Sequence, residues 1–148
     1  MAKRKPAFRD LEPVLREAVH HGTIAIPESP AHRLESAPRP DLGLLELLRG
    51  LSGGRTLPEE PDATGRRCAR TLRRLLARDY PGRAFRASDG VDVAALALAL
   101  PACDLVTCDA FMAELVRRAR LDTRHGCELF TGRRPDVERL RERVLSLG

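Results

Sequence analysis

The rhythm of the last third of the chain constrains the fold most strongly. Two short apolar runs, Leu105–Thr107 and Cys127–Phe130, have the length and composition of strands. Helical spacing of apolar residues predicts helices at about Val91–Leu100, Phe111–Ala119 and Pro135–Leu147. Short strands that alternate with helices favour a parallel sheet joined by right-handed crossovers. We therefore predict an α/β fold.

The first half of the chain is predicted to continue this pattern. A helix capped at Asp10 and closed at Gly22 leads into a strand at Thr23–Ile26, which Pro27 stops. The polar stretch "ESPAHRLESAP" follows as a loop. Further along we predict a leucine-rich helix from Asp41, a Gly- and Pro-rich loop insertion at about 51–65 and an amphipathic helix from Arg66. With 148 residues, the chain is predicted to form one domain over residues 1–148.

The charge balance favours a polyanion as partner. Lys and Arg outnumber Asp and Glu by 26 to 21, and nearly all of the basic residues are arginine. Arginine is the preferred side chain for phosphate recognition, so RNA is one interpretation. The other is that a genome rich in Arg, Ala, Leu and Pro codons sets the composition. The outer face of the helix from Arg66 leaves the same alternatives, phosphate contact or a solvated surface.

The chain shows no signal for export or for a membrane. The start, "MAKRKPAFR", is basic but lacks an apolar core, and no apolar window is long enough to cross a bilayer. Four cysteines without a CxxC spacing suit a reducing compartment, so we predict a cytoplasmic protein. A zinc site is a disfavoured alternative, because structural zinc usually has close ligand pairs. Its ligands would be Cys103, Cys108, His125 and Cys127.

Three acidic residues lie close to predicted strands, in the region of a parallel sheet where a ligand site is expected. In open parallel sheets, ligands bind beyond the carboxyl ends of the strands. Asp109 follows Leu105–Thr107, Glu35 follows Thr23–Ile26, and Asp92 opens the helix that leads into the strand of Asp109. Carboxylates that converge repel one another unless a cation neutralises them, and oxygen ligands suit Mg²⁺ or Mn²⁺. Such an ion activates water for attack on a phosphodiester.

Each of these acids also has a structural interpretation. Asp109 is well placed to cap the helix that begins after it. Asp92 favours the dipole at the N-terminus of its own helix. Glu35, taken alone, has the character of a solvated loop residue. The sequence leaves both interpretations open at each position.

Two segments resemble a known family. The stretch "SDGVDVAALALALPACDLVTCDAFMAELV" resembles the carboxyl half of PIN-domain nucleases, and "LREAVHHGTIAIPESPAHRLES" resembles the first helix, second strand and following acid of a PIN subgroup. This resemblance implies a three-layer α/β domain with a short parallel sheet flanked by helices. It also implies an endoribonuclease that depends on Mg²⁺ or Mn²⁺ and cuts single-stranded RNA. Many PIN domains are bacterial toxins, so an antitoxin-like inhibitor and a homodimer are further expectations.

The resemblance assigns roles to particular residues. Glu35 matches the second acid of the family, Asp92 the third and Asp109 the fourth. Asp89, one helical turn earlier, is an alternative to Asp92 as a metal ligand. Thr107 matches the small hydroxyl residue that precedes the last acid, where it would contact metal or phosphate.

Three further side chains are weaker candidates for contact with substrate. Arg133 and Arg134 follow the last predicted strand and are placed to hold phosphate, or else are exposed turn residues. His32 would orient Glu35 or contact substrate, or else is an exposed loop histidine.

The chain departs from the family at its start. A PIN domain begins with a central strand that ends in aspartate, but only "MAKRKPAFRD" precedes the first helix here. Either the natural start lies upstream, or the flanking strands close up, or another subunit donates a strand. The missing acid supports an alternative function: a catalytically inactive PIN-like remnant that binds RNA or a protein partner.

Overall fold

The computed structural model describes residues 6–38 and 43–148. Two compact units are distinguished by their internal contacts: a terminal unit, residues up to 57 with 133–148, and a central unit, residues 58–132. The elements are α1 Pro6–His20, α2 Pro30–Ser36, α3 Leu44–Ser52, α4 Ala63–Asp79, α5 Ala87–Ala102, β1 Leu105–Thr107, α6 Ala110–Arg118, α7 Leu121–His125, β2 Glu128–Phe130 and α8 Arg134–Leu145.

The described part of the chain is a mixed α/β structure in which helices predominate. Strands β1 and β2 pair in parallel, with Leu105 opposite Glu128 and Thr107 opposite Phe130. The predicted parallel sheet and its strand at Leu105–Thr107 are thus confirmed. The three-layer PIN-like arrangement and the single domain over residues 1–148 stay predictions.

The core of the central unit forms where α4 and α5 pack beside the sheet. Leu72, Val93, Leu100 and Leu115 are completely buried there. Helix α4 presents an apolar stripe to this core because residues spaced three and four apart lie on one helical face. Asp62 starts α4 by accepting a hydrogen bond from the Gly65 N–H at 2.8 Å. This packing fixes both helices around β1.

The predicted strand at Thr23–Ile26 is wrong, because these residues help to close α1. Gly22 has a left-handed φ of 74° at the end of that helix. The N–H groups of Thr23 and Ile24 both donate to the Ala18 carbonyl, at 2.9 and 3.4 Å. The extended contact in this region is instead an isolated parallel bridge between Glu28 and Thr56.

Several other boundaries differ from prediction. Helix α1 begins by Pro6, so Asp10 lies inside it and does not cap it. The stretch predicted as a polar loop contains α2, which Ser29 caps and Pro30 begins. The short helix α7 was not predicted. Asp41 lies outside the described residues, and α3 and α4 extend into both ends of the predicted loop at 51–65.

Within residues 6–38 and 43–148, no helix is both long enough and apolar enough to cross a membrane.

Substitution of Gly65 by Ala should destabilise the central unit. A Cβ at this position would lie 2.5 Å from the Ala97 carbonyl oxygen and 2.6 Å from the Pro61 Cβ. We expect a loss of about 1–3 kcal/mol, typical of overpacking, measured by urea unfolding. Gly82→Ala is the control, because a Cβ there meets nothing within 4 Å. Equal stability of the two variants would contradict the close α4–α5 packing.

Candidate nucleic-acid interface

The carboxylates of Asp92 and Asp109 both interact electrostatically with the thiol of Cys108, which lies just beyond the carboxyl end of β1. Burial raises the pKa of Cys108 to about 12, and the carboxylates of Asp109 and Asp92 add to that rise. Asp109 caps α6 by accepting a hydrogen bond from the Met112 N–H at 2.7 Å. Its capping role is therefore real, and its exposed carboxylate still faces solvent. Two of the predicted acids thus share one region.

The predicted third ligand, Glu35, is exposed on α2 in the terminal unit. Among residues 6–38 and 43–148, no three His, Cys, Asp or Glu side chains are grouped so that they could hold a metal ion. The Mg²⁺ or Mn²⁺ site built from Glu35, Asp92 and Asp109 therefore stays a prediction.

Asp89, the alternative ligand, is committed to a buried ion pair. Only 3% of it is exposed, and its two oxygens accept hydrogen bonds from the Arg83 guanidinium at 2.6 and 3.0 Å. The Arg86 N–H donates a third bond at 2.9 Å. Hydrogen bonds from Arg83 hold the pKa of Asp89 below its ordinary value, with the Arg86 bond adding to that effect. Its carboxylate thus already has the cation it needs.

Arg83 also joins a cluster of aromatic rings. Its guanidinium carbon lies 4.5 Å from the centroid of the Phe111 ring, which meets the Tyr80 ring edge-to-face at 5.2 Å. Arg118 lies 5.8 Å from the centroid of the Tyr80 ring. Asp109 raises the pKa of Arg83 further, after the larger effect of Asp89. We call Tyr80, Arg83 and Phe111 the aromatic cluster; Phe85 lies two residues after Arg83 in the chain.

The outer face of α4 carries a stripe of positive charge. Its arginines recur three or four residues apart on the side opposite the buried residues of the helix. Five of them make no ion pair with any residue that the structure describes, the exception being Arg78, which pairs with Asp79. We call this set the arginine stripe, and its members are Arg66, Arg67, Arg70, Arg73, Arg74 and Arg78.

The weaker candidates have local structural roles. The His32 ring Nδ1 accepts a hydrogen bond from the Ser29 N–H at 3.2 Å and completes the cap of α2. Burial lowers the pKa of His32, and nearby Glu35 opposes this effect. Thr107 ends β1 with an exposed side chain. Arg133 and Arg134 begin α8 in the terminal unit, where Arg134 pairs with Glu138 at 2.9 Å.

Among the described residues, the four ligands of the zinc alternative do not form a group that could hold a metal ion, so this alternative stays disfavoured. His125 contacts Cys68, with Nε2 3.2 Å from Sγ, and Cys68 was not among the four proposed ligands. Burial raises the pKa of Cys103 and raises that of Cys127 to about 11. These thiols are therefore protonated near neutral pH, whereas nucleophilic attack requires a thiolate.

The aromatic cluster was missed in the sequence, although a signal for it exists. The chain has only one tyrosine and four phenylalanines, and three of these five rings fall between residues 80 and 111. Arginines stand among them at positions 83 and 86. Interleaved aromatic and basic residues are typical of surfaces that bind single-stranded nucleic acid.

Comparison of the chain with protein-family models, with curated proteins and with solved structures finds no match. Its function is therefore inferred from the geometry and chemistry of the chain itself.

Asp89→Asn should change how stability depends on pH. Because the pKa of Asp89 is lowered in the folded state, its contribution is complete above about pH 4 and is lost as pH falls through that lowered value. We expect the variant to be less stable than the parent at pH 7, by a margin that shrinks in acid. Thermal unfolding from pH 7 to pH 2.5 measures this margin. The exposed Asp104→Asn is the control, and a margin for Asp89→Asn that is independent of pH would refute the role of the ion pair.

Proposed function

We propose that the central unit binds RNA through the arginine stripe of α4. The observation that carries this proposal is a helical face on which five arginines lack a carboxylate partner among the described residues. From Arg66 to Arg78 the stripe is about 18 Å long, at 1.5 Å per residue. A linear polyanion fits such a row, because each phosphate that is neutralised releases counterions.

Repulsion among the arginines of the stripe destabilises α4, and a bound polyanion would offset this repulsion. Like charges three or four residues apart destabilise a helix by about 0.2–0.5 kcal/mol per pair. Arg70 has such neighbours in both directions, Arg66 and Arg67 before it and Arg73 and Arg74 after it. Phosphate groups placed between these guanidinium groups replace mutual repulsion with attraction.

An anionic membrane surface is a poorer partner for the same helix. Amphipathic helices that bind membranes insert an apolar face into the lipid. In α4 that face is already used, since Cys68, Leu72 and Leu76 are buried within the central unit. The charged face alone remains available, which favours a hydrophilic polyanion over a bilayer.

Binding without catalysis accounts best for the acidic residues of the central unit. A cluster of carboxylates needs a cation, and here Arg83 neutralises Asp89 and also interacts with Asp109. This arrangement reduces the electrostatic demand for a metal ion. It supports the alternative implied by the family resemblance, a PIN-like remnant that binds RNA.

A metal-dependent ribonuclease is the second candidate. Asp92 and Asp109 both influence Cys108 beyond the carboxyl end of β1, where a parallel sheet offers a site. A Mg²⁺ or Mn²⁺ ion held by these two acids, with Glu35 as the third ligand expected from the resemblance, would supply activated water for attack on an RNA phosphodiester.

Removal of charge from the stripe should weaken RNA binding and at the same time stabilise the protein. The triple variant Arg70→Ala, Arg73→Ala, Arg74→Ala removes repulsive pairs and introduces the best helix former. We expect at least tenfold weaker binding of a labelled RNA at 50 mM salt and a smaller dependence of affinity on salt. Fluorescence anisotropy measures both, and calorimetry should show an unchanged or higher Tm.

A triple variant at Arg9, Arg16 and Arg49 is the matched control, because it removes the same charge from exposed positions of the terminal unit. If it weakens binding as much as the α4 variant does, the attraction is general and the stripe is not the site.

Asp109→Asn tests the ribonuclease. Asparagine keeps the N-cap of α6 but removes the charge, so the variant separates capping from metal binding. Under the second candidate, calorimetric binding of Mn²⁺ and cleavage of single-stranded RNA should both be present in the parent and lost in this variant. Asp62→Asn is the control, because Asp62 caps α4 in the same way. Absence of Mn²⁺ binding at millimolar concentration in the parent would exclude the ribonuclease.

A further inference from the structure

We propose that Phe85 is a base-stacking residue, which makes the RNA site selective for single strands. The inference rests on the proposed binding of RNA by the arginine stripe. The stripe would contact phosphates, and Phe85 would contact a base. Phosphates contacted by arginine provide affinity without reading the bases, whereas an exposed aromatic ring offers a surface to a base face.

Phe85 is unusually exposed for an aromatic residue in this chain. Its relative exposure is 58%, whereas Phe130 is completely buried and Phe8 is at 39%. One edge of the ring lies over Gly90, since a Cβ built there would be 3.6 Å from Phe85 Cε1. Glycine at this position provides a flat support for the ring. The remainder of the ring is available to a ligand.

The loop that carries Phe85 is held in place before any ligand binds. The Arg83 N–H donates to the Tyr80 carbonyl at 3.0 Å, which closes a turn at the start of the loop. At its end, the buried Asp89 carboxylate binds both the Arg83 guanidinium and the Arg86 N–H. Residues on both sides of Phe85 are therefore tied to one carboxylate. An anchored ring loses little conformational freedom on binding, which favours affinity.

Positive charge stands next to Phe85 in the chain and recurs toward the stripe. Arg86 is exposed next to Phe85 and makes no ion pair with a described residue. Arg78, the last member of the stripe, stands two residues before Tyr80, where the loop begins. A chain of phosphates that follows α4 would thus be led toward the aromatic cluster.

A base of a single strand fits this surface better than the alternatives. In a duplex, both faces of each base are covered by its neighbours, so that only the sugar–phosphate exterior would meet the loop. An apolar protein segment would meet Phe85 but would leave the adjacent Arg86 guanidinium without an anionic partner. Unstacked bases linked by phosphates satisfy both the ring and the charges.

The experiment compares two variants on two ligands. Phe85→Ala removes the ring, and Phe85→Trp keeps an aromatic face and adds the only tryptophan of the chain, which has none. The ligands are a 12-nucleotide single-stranded RNA and a 12-base-pair RNA duplex, each labelled and titrated at 100 mM salt. Phe8→Ala, which removes another partly exposed ring from the terminal unit, is the control.

Base stacking predicts about tenfold weaker binding of the single strand by Phe85→Ala, with duplex affinity and the salt dependence unchanged. Phe85→Trp should bind as the parent does, and its fluorescence should be quenched by the single strand but not by the duplex. Unchanged single-strand affinity in Phe85→Ala, or an equal loss on the duplex, would overturn the inference. If neither ligand binds the parent, both the RNA proposal and this inference fail. If the α4 variant weakens binding and Phe85→Ala does not, only the stacking role fails.

Discussion

The buried ion pair between Arg83 and Asp89 is the interaction on which the candidate interface depends. A carboxylate that is removed from water requires a cation and hydrogen bonds, and Arg83 provides the cation through two bonds at 2.6 and 3.0 Å. Removal of Arg83 would leave the buried Asp89 carboxylate without its cation, so the pair fixes the turn before α5. Phe111 packs under the same guanidinium. One arginine thereby sets the position of the loop, the rings and the first turn of α5.

This pair also explains why spacing alone was insufficient to identify the acids. Asp89 and Asp92 lie three residues apart at the start of α5, and either could match a metal ligand of the PIN family on sequence grounds. The structure separates them, because Asp89 is engaged by Arg83 while Asp92 acts on Cys108 together with Asp109. The deciding partner, Arg83, lies in a loop without periodicity. Its role therefore could not be predicted from the pattern of residues.

Prediction succeeded where periodicity and burial agree. The last third of the chain gave β1 at the predicted residues and β2, α6 and α8 within one or two residues. The apolar positions of β1, β2 and α6 face the core of the central unit, and those of α8 are buried in the terminal unit. Prediction failed at Thr23–Ile26, whose apolar run is short and whose N–H groups close α1. The stretch around His32 was also missed, since its capping box uses a histidine where Glu or Gln is usual. Local hydrogen bonds determine the backbone conformation of both segments, and such bonds cannot be predicted from the hydrophobic pattern.

The two faces of α4 point to one kind of partner. Its apolar face is buried in the core, so the helix has no apolar surface available to insert into a lipid layer or an apolar groove. Its other face carries guanidinium groups whose mutual repulsion opposes folding, a feature that stability alone would not favour. A site near Asp109 would face the opposite difficulty, because phosphate is repelled by carboxylates unless a metal ion or Arg83 intervenes. In the proposed function, affinity for RNA therefore comes from the arginines of α4, and cleavage of RNA would require a cation bound at the acids.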